Sequence, residues 1–178
     1  VQHPASGRGV PASLPVDYGA VKDLKRMKLG VVAAKHFWAD PEGIKTTGGF
    51  GRQMEEIGRY FAGMVLIVPF AKLSVARPGY IVEVEGLEIV ALPCFSGAGV
   101  AGKLDFLAKA PVFAWRIWRA RGRCDLVQYR VPSYVGVLGL AIHQLSRRRP
   151  AFAWMAGNWP ESIRQTNRYR GRRLVADV

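Results

Sequence analysis

The residues best placed to do chemistry in this chain are Gly48-Gly-Phe-Gly51, in the stretch Thr46-Thr-Gly-Gly-Phe-Gly-Arg52. They lie between an apolar run, Leu29-Gly-Val-Val-Ala-Ala34, and a helical pattern. A strand that empties into a glycine loop at the start of a helix presents backbone N–H groups at the helix's positive end, which suits phosphate or another anion. The loop is not a dinucleotide fingerprint. Gly49 and Gly51 fit the first two glycines of GxGxxG, but Met54 stands in the third place and the approach from the strand is too long. No GKS or GKT follows, which excludes a P-loop. A purely structural role, in which the glycines only let the chain turn into the helix, stays open.

His36, just after the first apolar run, is the single candidate acid, base or phosphate partner; no carboxylate in its neighbourhood of the sequence is positioned to orient it. His143 falls within a helical pattern and reads as structural or solvated. Neither a Ser/His/Asp set nor a pair of carboxylates at one strand end can be picked out, so the catalytic residues are unassigned. Cys94 and Cys124 are far apart and outside any CxxC spacing, which leaves neither a zinc site nor a disulfide framework to argue and predicts two buried free thiols.

These residues need elements to hold them. Leu29 to Ala34 is apolar on both faces, as a central parallel strand is. A long polar loop follows, then a helix over Arg52 to Ala62 with Met54, Ile57 and Phe61 on one face, ended by Gly63. Met64 to Phe70 is a second buried strand, completing a βαβ unit. Tyr80 to Leu92 alternates with period two around Gly86, predicting a hairpin or an edge extension. Lys103 to Arg121 reads as a helix that Pro111 kinks or splits. Asp125 to Val131 is a strand stopped by Pro132-Ser133, Gly136 to Leu145 a helix, and Pro150 to Ala156 a last strand. The alternation predicts an α/β fold: a Rossmann-like, mostly parallel sheet with helices on both faces, its ligand edge at the strand carboxyl ends.

The 178 residues and 49% apolar content fit one globular domain. Residues 1–26, with Pro4, Pro11 and Pro15 and no periodicity, read as an extended or disordered leader, and residues 27–178 as the domain, incomplete at its C-terminal end. No uninterrupted apolar run approaches the ~18 residues of a membrane span, and the N-terminus lacks a signal-peptide pattern, so the cytoplasm is expected. The net charge of +13 favours anionic partners. Phe106 to Arg123 interleaves Phe113, Trp115 and Trp118 with Lys109, Arg116, Arg119, Arg121 and Arg123, a composition that suits peripheral contact with an anionic membrane surface at its inner face. The alternative is a core helix whose basic residues are merely solvated. No specific nucleic-acid motif is present.

Several short segments together resemble a family. The strand from Lys28 to Ala34, the Gly48-Gly49 loop opening a helix, Arg130-Val-Pro-Ser133 before a Gly/Leu-rich helix, and Met155-Ala-Gly-Asn-Trp159 are similar to the N-terminal half of a GT-B fold glycosyltransferase of the family-4 type. The resemblance spans Lys28 to about Trp159. It implies the acceptor-side domain of an enzyme that moves a sugar from a nucleotide-sugar donor to a glycan or lipid-linked acceptor in polysaccharide synthesis, with no further cofactor and no metal. Gly48 and Gly49, with Phe50, Gly51 and Arg52, would lie against the donor diphosphate and the acceptor; Ser133, Tyr134, Asn158 and Trp159 would line the acceptor side. Relatives commonly carry a histidine after the fourth strand where this chain has Pro132-Ser133. Nothing corresponds to the second, donor-binding domain, which implies that this chain alone is inactive. The competing reading is a non-catalytic Rossmann-like module binding an anionic partner, membrane surface or nucleic acid. A methyltransferase or dehydrogenase is disfavoured by the missing fingerprint.

Overall fold

A computed structural model of the chain describes residues 23–95, 99–145 and 149–155. Lys28–Val32 (β1) is the central strand expected from its apolar run, with parallel neighbours on both sides: Gly63–Lys72 (β4) and Leu126–Val131 (β7). Leu87–Leu92 (β6) adds to β4 and Ala151–Met155 (β8) to β7, again parallel, so these strands run in the order β6-β4-β1-β7-β8. Phe50–Gly58 (α1) lies between β1 and β4 in the chain, Gly99–Arg121 (α2) between β6 and β7, and Tyr134–Leu145 (α3) between β7 and β8.

Side-chain alternation along the strands assigns the helices to faces. Leu29, Val31, Met64, Leu66 and Val68 form one buried cluster with Met54 of α1. Val32, Val65, Ile67, Val127 and Tyr129 form another with Phe113 and Ile117 of α2 and Val135 and Ile142 of α3. Each of these fully buried aliphatic side chains contributes ~1.5–3 kcal/mol, and the central strands, apolar on both sides, are stable only because helices cover both faces. The expected α/β architecture is therefore the observed one.

Four local expectations are corrected or narrowed. The long polar loop after β1 contains a hairpin, Phe37–Asp40 (β2) against Gly43–Thr46 (β3), turned at Asp40-Pro-Glu-Gly43; β2 runs parallel to the far end of β4. Of the two alternatives for Tyr80 to Leu92, the edge extension is the one observed; Tyr80–Ile81 (β5) and β6 do not form a hairpin with each other. β5 takes the open edge of β3 and β6 takes the edge of β4, because alternation specifies a pleat but not its partner. Gly63 opens β4 instead of ending a helix, α1 having stopped at Gly58. Pro111 does not split the helix: it sits inside one continuous α2, on its exposed side.

The cysteines also divide. Cys124 is buried, and burial pushes its thiol up to about 11; Cys94 is exposed. Among the described residues no helix is long and apolar enough to cross a membrane.

Candidate functional site at the sheet's switch point

Strand order reverses direction between β1 and β7, and in such sheets the crevice beyond the carboxyl ends of those two strands is where ligands sit. β1 leads there into Ala33-Ala-Lys-His36, and β7 ends at Arg130-Val131 with a cis bond to Pro132. α1 begins at the same edge with Gly49 as its N-cap. No side chain caps this helix and its first turn carries no acidic residue. Its first internal bond runs from the Gln53 N–H to the Gly49 carbonyl, so the amides before Gln53 have no partner within the helix.

The glycines of the loop differ in what they do. Gly48 has φ +67°, a left-handed conformation that a side chain would strain, so it is required by the turn. Gly49 is exposed at φ −74°, and a Cβ on it would meet nothing within 4 Å; the space in front of the helix start is open. Gly51 is buried, and a Cβ there would come within 2.6 Å of the Tyr80 ring, so its missing side chain serves packing. Phe50 packs edge-on against Phe37. Arg52 is exposed and acts on the Tyr80 hydroxyl, which donates to Glu55 Oε2 at 2.5 Å; that bond holds the phenol above its usual pKa, with Arg52 opposing.

The structure adds residues to this corner that sequence reasoning did not single out as a site. Arg130 Nη1 donates to Gln53 Oε1 at 2.8 Å, and its guanidinium lies 4.6 Å from the Phe50 ring centre and 6.0 Å from that of Trp154. Arg130 is half-buried, burial lowers its pKa, and no carboxylate pairs with it among the described residues. Lys35 lies on the other side of the glycine turn, its Nζ 4.0 Å from where a Gly48 Cβ would be, and it too has no acidic partner among the described residues. Two uncompensated cations thus flank an uncapped helix start. Two residues before Arg130, Gln128 is fully buried with neither amide atom hydrogen-bonded to the described protein. An arginine near the end of a largely buried strand is the available signal; its juxtaposition with α1 is a product of the fold.

The remaining predicted residues fall as follows. His36 is exposed at the rim, its ring 6.0 Å from that of Phe95. Burial of part of its ring, and secondly the charge of Lys35, push its pKa below the ordinary histidine value. With Thr47, Trp38, Arg77 and Cys94 it lines a cleft of about 560 Å³ beside the glycine turn. A second hollow, of about 660 Å³, runs along α1 between Tyr80 and Glu55 and past Lys25, Phe61 and Glu85. Ser133 Oγ donates to the Arg130 carbonyl and accepts from the Gly136 N–H, both at 2.9 Å, so it caps the start of α3. Tyr134 is exposed and its ring contacts Phe106 at 5.4 Å. Asn158 and Trp159 lie outside the described residues. Among the described residues no three His, Cys, Asp or Glu side chains are grouped to hold a metal.

The arrangement is a positively polarised corner: helix amides with no partner within the helix, Arg130 and Lys35 around open space, with the His36 imidazole at its rim. It can hold a phosphate or carboxylate and stabilise negative charge that develops there. No protein-family model, no curated protein and no solved structure matches the chain.

Proposed function

We propose that this chain is the acceptor-side half of a GT-B glycosyltransferase, contributing one wall of a cleft in which a sugar passes from a nucleotide-sugar donor to a glycan or lipid-linked acceptor. The observation that carries the reading is the meeting of three things at the switch point of a β6-β4-β1-β7-β8 sheet: the uncapped start of α1, the open face of Gly49, and Arg130 without an acidic partner. The segments that resemble the family, Gly48-Gly49 and Arg130-Val-Pro-Ser133, are the ones that converge there.

In this reading the departing nucleoside diphosphate gathers negative charge as the glycosidic bond breaks. Amides at the start of α1 and the Arg130 guanidinium offset that charge, fixed in place beforehand by Gln53 and Phe50. His36, at the rim and with its pKa lowered by burial, can accept a proton from an acceptor hydroxyl or donate a hydrogen bond to it. A second wall completes donor binding, so the chain by itself binds but does not turn over.

Nitrogen-15 NMR titration of the 178-residue chain with a panel of nucleoside diphosphate sugars tests this. Expected are saturable shifts of the amides from Gly48 to Gln53, weakened by Gly49→Val and by Arg130→Met. Absence of shifts with every donor, in a protein that melts normally, sinks the reading. Sugar transfer by this chain alone would refute the half-site. The non-catalytic alternative is favoured by the uncompensated cations, and it would show instead as salt-sensitive binding to nucleic acid or acidic vesicles that Gly49→Val leaves unchanged.

A further inference from the structure

Helix α2 buries one side against the sheet through Phe106, Phe113, Ile117 and Ala120. Its opposite side is also apolar. Val100 (73% exposed), Leu104 (61%), Leu107 (66%), Trp115 (59%) and Trp118 (48%) stand in solvent. At 3.6 residues per turn they fall within about 80° of arc and extend for about 27 Å. The segment flagged in the sequence therefore splits: Phe113 and Phe106 belong to the core, and the outward stripe is carried by other residues, with the two tryptophans at its C-terminal end.

Charge identifies what this stripe fits. α2 contains Lys103, Lys109, Arg116, Arg119 and Arg121 against the single acid Asp105, which is already paired with Lys109 at 2.6 Å. Arg116 is bonded to the Ala91 carbonyl and the buried Arg121 to the Ile142 carbonyl. Lys103 and Arg119 remain exposed on either flank of the stripe, and Arg119 covers the Trp115 ring at 5.4 Å. An exposed apolar stripe edged by cations, with tryptophans whose rings suit the headgroup level, is the pattern of a helix lying in the plane of an anionic bilayer. A face meeting another folded protein has no comparable need for cations on both sides that lack an acidic partner among the described residues.

We propose that the outer face of α2 docks the protein onto an anionic lipid bilayer, with Leu104, Leu107, Trp115 and Trp118 inserted at the acyl boundary and Lys103 and Arg119 at the lipid phosphates. This goes beyond the glycosyltransferase reading and stands or falls separately. The first turn of α2 follows the carboxyl end of β6, so docking would set the ligand edge of the sheet close to the membrane.

The test is vesicle co-sedimentation of the full chain with phosphatidylcholine alone and with about 30% phosphatidylglycerol. Expected is partition onto the anionic vesicles with a blue-shifted tryptophan emission, reduced about tenfold or more by the double change Leu107→Glu with Trp115→Glu. Lys103→Glu with Arg119→Glu should weaken partition to anionic vesicles only. All four positions are exposed, and circular dichroism melts confirm folding. No partition onto either vesicle overturns the proposal. So does partition that the stripe variant retains, which would assign it to arginines elsewhere in the chain. A concentration-dependent dimer dissolved by the stripe variant, without vesicle binding, would assign the face to a second copy.

Discussion

Lys45 and Arg130 are both cations taken at least partly out of water, and the fold treats them in opposite ways. Lys45 is 2% exposed and saturated: Nζ lies 3.0 Å from Asp40 Oδ2, contacts Glu42, and donates to the Arg77 carbonyl at 3.1 Å. It ties the β2–β3 hairpin to the segment leading to β5. Arg130 has one neutral amide and two aromatic rings and no carboxylate among the described residues. A buried charge with every partner supplied by its own chain is committed to structure. One left short of an anion retains the capacity to meet one from outside.

The largest effect is expected at the saturated cation. Lys45→Met leaves Asp40 and Glu42 facing each other without a counter-charge and should lower the melting temperature more than any other single change considered; Arg130→Met should leave it nearly unchanged. Thermal melts of the two variants side by side check this, and equal losses would erase the distinction. The same cluster has a pH signature. The Arg77 backbone N–H, aided by Lys45, holds the Asp40 carboxyl at about 2, below its unfolded value. A depressed acid contributes stability that is complete above about pH 4 and is lost as pH falls through about 2. Acid melts should show that loss in the wild type and a flatter profile in Asp40→Asn.

At the unsaturated cation the effect moves from stability to binding. Arg130→Met should weaken affinity for a nucleoside diphosphate by about tenfold to a hundredfold, the value of a charge-assisted hydrogen bond, measured by calorimetry. A change below twofold would make Arg130 a packing residue. Beneath it, the buried amide of Gln128 lacks a partner among the described residues, and Gln128→Met should raise stability by about 1–3 kcal/mol in urea melts; destabilisation would show the amide to be satisfied. Smallest is the contrast within the glycine turn. Gly48→Ala should cost about 1–2 kcal/mol for a left-handed alanine, whereas Gly49→Ala, with open space around it, should stay within about 0.5 kcal/mol.

Much of this fold could be read from the residues. Leu29 to Val32 and Met64 to Val68 are apolar at every position, which only a strand covered on both faces satisfies, and Met54, Ile57 and Phe61 recur at helical spacing. The hairpin from Phe37 to Thr46 was missed although Asp40-Pro-Glu-Gly43 is a turn sequence, because the polar side chains that surround it masked two short strands. The partner of Tyr80-Ile81 could not be read, since alternation looks the same whichever edge accepts the strand. Gly48 and Gly49 were found from their position before a helix, but Gly51 looked equivalent to them and is a packing residue, a distinction made by Tyr80 from another part of the chain.

By itself, then, the sequence determined the layers of this protein, because burial periodicity is local and each segment carries its own record of which faces must leave water. Only tertiary structure decided which cations are spent on the fold and which remain open. Lys45 and Arg130 each sit in a short strand, but Asp40 and Arg77 reach Lys45 across a hairpin and a loop, while Gln53 reaches Arg130 from a helix 77 residues away. Charge compensation depends on distances between remote segments, which strand pairing sets and local composition does not record.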